Sequence, residues 1–299
     1  MVLDRWDPRR LEAAVRAGEA VDLRATTLGK ARPEQVVPLC HAVTNPDWQR
    51  WLAPGAVPNG RTEARVTVVI PTATGIPAGL RALAAQDEPV DVVVLWNGSG
   101  PAPEMPGVTV RTVPWRGHGA TRQAAVADVR TPYLLFLVDD AIPLGAGFVR
   151  TLVDGLESTS AEAVWARQVP WPTASTRIRD RLAAWCPTDG GSPPSRLDHV
   201  CALHRAALLR TDPLDDTPIA EDWLWGRRHR CALVPGAPVL HSHPPGFRRT
   251  LARTRAIHKV LRANGERPTV RGVRDVVLGM PGVIGDRDGL AELIGQWGG

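Results

Sequence analysis

The chain has 299 residues, 43% of them hydrophobic and 22% charged, a balance that excludes a largely disordered polypeptide and allows one large core with end pieces. Its formal charge is +5, and Lys30 and Lys259 are the only lysines among 36 basic residues. Arginine's planar fork suits phosphate and carboxylate, although a high-GC genome also enriches arginine. No apolar stretch approaches the roughly 18 residues of a membrane span. Asp4 and Asp7 stand where a leader would be apolar, and Cys40, Cys186, Cys201 and Cys231 show no Cys-x-x-Cys spacing. Reduced thiols in a cytoplasmic protein are the expectation.

Residues 1–62 mix a short helical stretch, 9–16, with Pro33, Pro38, Pro46, Pro54, Pro58 and the Asn59-Gly60 turn signal, and read as an added N-terminal piece. From Val66 the character changes. The run 66–70 is apolar and β-branched and meets Pro71, as a buried parallel strand would. A helix over 77–86 follows, then a strand over 90–95 ending at Trp96-Asn97-Gly98-Ser99, and another over 108–113 ending at Pro114-Trp115. Gly117-His118-Gly119 opens a helix over 120–129, and the run 133–138 stops at Asp139-Asp140. Strand and helix alternate with a period near 30 residues, which predicts a doubly wound α/β sheet with its ligands beyond the carboxyl ends of the strands. Those ends carry Thr72, Asn97, Trp115 and Asp139-Asp140.

Further along, a helix over 148–156 precedes a strand over 163–169, and 170–194 is rich in Pro, Gly and Ser around a helix near 178–185. A strand and helix over 200–209 lead to Glu221-Asp222 and a third helix. A strand near 232–240 ends at His241-Ser242-His243, before an arginine-studded helical tail from Phe247.

Adjacent carboxylates at a strand end repel unless a cation or ligand hydroxyls compensate them, so Asp139-Asp140 suits a divalent metal on a diphosphate; a turn with an Asp helix cap is the plainer alternative. Glu221-Asp222 begins a helix, where acids complement the helix dipole. A separately held carboxylate is also what transfer to a hydroxyl needs, one group fixing the leaving group and another taking the acceptor's proton. His241 and His243, two apart at a strand end, share a face as metal ligands or as surface histidines. Gly117-x-Gly119 lacks the third glycine of a dinucleotide fingerprint and follows the third strand, not the first. P-loop, His-Glu-x-x-His and Gly-x-Ser-x-Gly patterns are absent, so phosphoryl-transfer, zinc-protease and α/β-hydrolase readings lack their parts.

In this order the pieces resemble the family-2 glycosyltransferases, especially the rhamnosyltransferase-like branch, over residues 66–262. The resemblance rests on Val68-Val69-Ile70-Pro71-Thr72, Leu95-Trp96-Asn97-Gly98-Ser99, Gly119-Ala120-Thr121-Arg122-Gln123, Val138-Asp139-Asp140-Ala141-Ile142-Pro143, Ala166-Arg167-Gln168-Val169-Pro170, Ala220-Glu221-Asp222-Trp223 and the run from Val234 to His243. It implies a GT-A fold, a Rossmann-like, doubly wound mixed sheet over 63–245, with an N-terminal extension (1–62) and a C-terminal helical tail (246–299).

It further implies that Thr72 and Asn97 border the base and that Arg122 lies near base or diphosphate. Asp139 would bind the ribose, and Asp140 a Mg2+ or Mn2+ with His241 nearby. Arg167 and Gln168 would approach the transferred sugar. Asp222 would be the catalytic base, with Glu221 orienting acceptor or sugar. Three positions depart from the family pattern: Val138 where its Asp-x-Asp begins, Trp96 where an aspartate reads the base, and Gln123 in place of Asn. The Trp96 indole offers a stacking face instead.

The expected reaction is an inverting, metal-assisted transfer from a UDP- or dTDP-type nucleotide sugar to a hydroxyl of an acceptor glycan, a lipid-linked acceptor or a small natural product, not to nucleic acid. A sugar-phosphate nucleotidyltransferase and a non-catalytic nucleotide-sugar- or nucleic-acid-binding scaffold are the competing readings. Among eleven tryptophans, Trp223 and Trp225 flank the proposed base, as core residues or as a stacking surface. The basic amphipathic tail is either a domain-closing helix or a peripheral membrane contact.

Overall fold

The computed structural model describes residues 64–171, 174–192, 195–243, 246–266 and 287–298; the extension 1–62 and its expected helix lie outside them. In chain order the elements are β1 (Val66–Thr72), α1 (Leu80–Ala84), β2 (Val90–Trp96), β3 (Thr109–Thr112), α2 (His118–Val126), β4 (Tyr133–Leu137), β5 (Ile142–Pro143) and α3 (Phe148–Glu157). There follow β6 (Ala163–Val169), α4 (Thr176–Trp185), β7 (Cys201–Arg205), α5 (Ala206–Thr211), α6 (Glu221–Arg228), β8 (Cys231–Leu240), α7 (Phe247–Ala263) and α8 (Arg287–Gly298).

The strands form one mixed sheet in the order β3-β2-β1-β4-β7-β6-β8-β5. β1, β2, β3 and β4 are mutually parallel, β7 is antiparallel to both β4 and β6, and β8 is parallel to β6. Six strands therefore point one way, and the carboxyl ends of β1, β2, β3, β4, β6 and β8 share one edge of the sheet, where β7 begins.

Alternation along the strands feeds two cores. Val68, Ile70, Leu135 and Leu137 face one side and pack with Phe148, Val149, Leu152, Val153 and Leu156, a single stripe of α3. Val69, Leu134 and Phe136 face the other with Val126, Leu209 and Trp225. Both faces are covered, which is why these strands read as continuous apolar runs.

β1 continues through Pro71, where the sequence suggested an end. Pairing with β4 stops at Val69↔Phe136 while pairing with β2 continues to Thr72↔Trp96, so on the open side the proline's missing N–H removes no ladder bond. Between β6 and β8 the register jumps from Ala166↔Val234 to Arg167↔Pro238, and the guanidinium of Arg167 reaches into that bulge, Nε donating to the Pro235 carbonyl at 3.1 Å.

The tail helix α7 lays Ile257, Val260 and Leu261 on Ala220 and Leu224 at the start of α6, so its apolar side closes the domain. No described helix is long and apolar enough to cross a membrane.

Candidate active site

The first cluster gathers where β5 meets β8. Ile142 pairs antiparallel with Leu240, so two residues beyond that pair Asp140 comes opposite the His241-Ser242-His243 segment. His241 Nε2 lies 3.4 Å from Asp140 Oδ1, and His243 Nδ1 lies 3.9 Å from Asp140 Oδ2. One ligand atom from each of the three falls within 4.8 Å of the others. His241 Nδ1 is held by Gln168 Oε1 at 2.8 Å, while its Nε2 is buried without a hydrogen bond.

A carboxylate with two imidazole nitrogens, one imidazole oriented through its other nitrogen, is a donor set that suits a first-row transition ion such as Mn2+ and suits Mg2+, which prefers oxygen ligands, less well. Burial and the neighbouring His241 and Arg253 push His243 down to about 4, so it is neutral and its lone pair is free at pH 7. His243, weighed from sequence only as a partner of His241, completes this triad.

Asp139 turns the other way. Its Oδ2 accepts from Thr72 Oγ1 at 2.7 Å and from Thr74 Oγ1 at 3.4 Å. Burial is the main cause of its raised pKa, and the adjacent Asp140 charge adds to it. The two acids thus divide their roles: one belongs to the β1 edge and one to the histidines. Asn97 extends the same edge, its backbone N–H on the Thr72 carbonyl at 2.9 Å and its Nδ2 buried without a partner.

The second cluster is the start of α6. Ala220 has φ +67°, the one positive φ outside glycine among the described residues. Such a conformation costs an L-residue about 1–2 kcal/mol. It turns the chain so that Glu221 is buried while Asp222 keeps only a small part of its surface exposed. Glu221 Oε1 accepts from Arg122 Nη1 at 3.0 Å and His199 Nδ1 at 3.1 Å. His199 Nε2 lies 3.0 Å from His204 Nε2.

Because a carboxylate only accepts, the His199 Nδ1 that faces Glu221 carries a proton. Burial alone would raise Glu221, but the Arg122 charge and the His199 contact bring it down to about 2. Asp222 is pushed the opposite way, to about 6, by burial and then by the Glu221 charge beside it. Its Oδ2 accepts the His199 backbone N–H at 3.1 Å and its Oδ1 the Trp223 N–H at 2.8 Å.

One short turn fastens these pieces together. Asp198 Oδ2 accepts from Gln168 Nε2 at 2.6 Å and Trp185 Nε1 at 2.8 Å. His199 N–H holds Asp222, and the Val200 carbonyl accepts from Val138 N–H at 3.0 Å. Three consecutive residues therefore tie the Gln168–His241–Asp140 side, the Asp222 side and the strand bearing Asp139 to one another. Asp198, His199 and His204 were not singled out from the sequence. A histidine after an aspartate ahead of a short strand carries no local signature, and only the β4–β7 pairing makes that turn a hub.

Other expected residues sit differently. Arg122 is buried with its charge matched by Glu221, with Nη1 also 3.1 Å from His118 Nδ1. Trp96 is folded under its own turn, Nε1 on the Gly100 carbonyl at 3.1 Å, and is 6% exposed. Trp225 is wholly buried and stacks on His229 with centroids 3.7 Å apart. Trp223 is 38% exposed and stacks on Trp185.

Gly117-x-Gly119 is a packing site: the His118 and Gly119 N–H groups donate to the Pro218 and Thr217 carbonyls, and a Cβ on Gly119 would stand 1.9 Å from the Asp215 carbonyl. Gln123 clamps the loop beyond α5 through the Leu209 carbonyl and the Leu214 N–H. Cys186, Cys201 and Cys231 are buried free thiols. Burial raises all three, Cys186 and Cys231 to about 12, which leaves them inert.

No protein-family model matches the chain, and no curated protein sequence matches it. Among solved structures, the mannosyltransferase PcManGT from Pyrobaculum calidifontis, in complex with GDP-Man and Mn2+, aligns with a TM-score of 0.52 and 14% identity, over 96% of this chain and 85% of that one. S. aureus TarS 1-349 in complex with UDP-GlcNAc aligns at 0.47 and 14% identity over 66% of each chain. The match thus spans about two thirds of the TarS fragment. A mycobacterial protein aligns at 0.45 and 19% identity, over 71% of this chain and 79% of that one. The alignment with the mannosyltransferase takes in nearly the whole chain, and the architecture it shares is the GT-A glycosyltransferase fold.

Proposed function

We propose that the protein is an inverting glycosyltransferase, of the family-2, rhamnosyltransferase-like type, that moves a sugar from a nucleoside diphosphate donor to an acceptor hydroxyl with the help of Mn2+ or Mg2+. The observation that carries this reading is the 198–200 turn, which holds a metal-type donor set and a raised carboxyl at one carboxyl-end edge of a GT-A sheet. That the mannosyltransferase of the same fold was captured with GDP-Man and Mn2+ supports it.

Asp140, His241 and His243 would hold the ion, which when bound supplies positive charge to the diphosphate leaving group. Thr72 and Asp139 are set at the β1 edge for the ribose. The unpaired Asn97 Nδ2 offers a donor to a base carbonyl, as a UDP- or dTDP-type donor presents. Asp222 takes the acceptor proton. With its pKa near 6 it is ionised at pH 7 yet far more basic than an ordinary carboxylate, the compromise a general base needs. Glu221, pinned by Arg122 and His199, fixes the first turn of α6 and so aims Asp222.

The test is a screen of UDP-, dTDP- and GDP-sugars with Mn2+ or Mg2+, read by thermal shift and by donor hydrolysis, because a ligand confined to the native state raises its melting temperature. One nucleotide sugar should stabilise the protein only with metal and release nucleoside diphosphate. Stabilisation by a nucleoside triphosphate with pyrophosphate release, or no response to any sugar nucleotide, overturns the assignment.

A further inference from the structure

A cleft of about 270 Å³ opens between the end of β6 and α4. It is small against the roughly 300–1,000 Å³ of ordinary ligand pockets and suits a single ring or a small group rather than a whole nucleotide. Gln168 lines it while also holding His241, so the cleft and the Asp140 centre share a wall. Two of its other walls are arginines. Arg167 is half-buried, and its one hydrogen bond uses Nε, on the Pro235 carbonyl. Arg179 is half-buried, with Nη1 on the Ala174 carbonyl at 2.5 Å.

Neither guanidinium pairs with a carboxylate among the described residues. The acid on the rim, Asp189, is exposed and accepts the Gly191 N–H of its own turn. Two half-buried arginines lining one small cavity, each held by a backbone carbonyl and neither by a carboxylate, are an arrangement whose charge the described protein groups do not match. A ligand carrying the opposite charge would stabilise it, through charge-assisted and forked hydrogen bonds.

We propose that the Arg167–Arg179 cleft is an anion subsite, so that one of the two substrates carries a carboxylate or phosphate on the ring that enters it. This rests on the glycosyltransferase reading for what the ring is, but not for whether the anion binds. The shared wall at Gln168 favours the donor sugar, as a uronate. A phosphorylated acceptor is the other source of the same chemistry.

The experiment uses the whole chain with Mn2+ and matched donors on one nucleotide, UDP-glucose with UDP-glucuronate and GDP-mannose with GDP-mannuronate. Inorganic phosphate, glucuronate and glucose 6-phosphate are titrated separately, with and without UDP and Mn2+. Binding is followed by calorimetry and thermal shift in the wild type, R179Q, R167Q and R167K, with circular dichroism to check folding.

If the donor sugar is anionic, the uronate donor binds at least about tenfold tighter than its neutral partner, and the advantage collapses in R167Q and R179Q and partly returns in R167K. If the anion belongs to the acceptor, donors are equal, but glucose 6-phosphate binds the UDP- and Mn2+-loaded protein and is lost in the same variants. Should no probe discriminate between wild type and the glutamine variants, the subsite is refuted, whether or not donor hydrolysis is seen. Absence of all nucleotide-sugar binding with phosphate capture intact would instead overturn the glycosyltransferase reading and leave the subsite standing.

Discussion

The two halves of the candidate site are built on opposite principles. On the α6 side every charge has a protein partner: Glu221 is gripped by Arg122 and His199, His199 by His204, and Asp222 by the backbone of His199. A strained Ala220 holds the turn. On the β5–β8 side, Asp140, His241 and His243 face one another with long contacts, and a buried imidazole nitrogen makes no hydrogen bond. The first half is preorganised by the chain itself. The second has its geometry set by strand pairing, with the buried Nε2 of His241 turned toward Asp140. A group meant to move a proton must be positioned before substrate arrives, whereas a metal site brings its own organising charge.

The preorganised half depends most on Glu221. Replacing it with Leu strands the Arg122 guanidinium, 5% exposed at its side chain, and breaking one partner of a buried pair costs about 3–5 kcal/mol. Urea unfolding of E221L should show that loss, and R122M should show a comparable one; loss under 1 kcal/mol for both would mean the rigid half is not rigid. The pH dependence has a defined sign. Glu221, lowered to about 2 from an unfolded value near 4.5, contributes stability that is complete above pH 4.5 and lost as pH falls toward 2. Asp222, raised to about 6, does the reverse, giving up stability as pH rises from about 4 through 6.

Next in size is Asp222 itself. Asp222→Asn should leave donor affinity intact and lower turnover by about 10²-fold or more, the range of a lost general base. In the wild type the rate of transfer should fall below pH about 6, as Asp222 protonates. An Asn variant with full turnover, or a rate that is flat from pH 5 to 8, removes Asp222 from the proton transfer.

These two halves were legible in the sequence to different degrees, for physical reasons. Strands buried on both faces announce themselves as apolar runs, so β1, β2, β4 and β6 were placed within a residue or two, and the acids at the ends of β4 and ahead of α6 stood out by contrast. The Asp140–His241 proximity depends on β5, two residues long and paired only with β8, which no local pattern reveals. Arg122 was placed near base or diphosphate by the family resemblance alone, and no local pattern announces that its guanidinium is buried on Glu221. Its burial against Glu221 is set by two glycines that let α2 and the loop before α6 touch, Gly117 at φ +97° and Gly119 without a side chain. Trp96 offered a stacking face on paper, yet its turn closes over it. Position along the chain was readable; which side of a contact a residue takes was decided for Arg122 by a partner 99 residues away and for Trp96 by the fold of its own turn.

The smallest expected effect lies on the wire between the halves. Gln168 touches neither Asp222 nor Asp140, but it holds His241 Nδ1 with its carbonyl and Asp198 with its amide. Orientation by such a contact is worth about 10–100-fold in metal affinity. Gln168→Leu should therefore weaken Mn2+ binding by about tenfold, measured by calorimetry, and leave the pH midpoint of transfer near 6, because Asp222 takes its hydrogen bond from the His199 backbone rather than from Asp198. Gln168→Glu separates orientation from charge: it keeps an acceptor for His241 but sets a second carboxylate against Asp198, so metal binding should recover toward wild type while the protein loses stability. If Q168L moved the pH midpoint as much as the metal affinity, the two halves would be one coupled unit, and the division between a preorganised base and a metal-completed partner would fail.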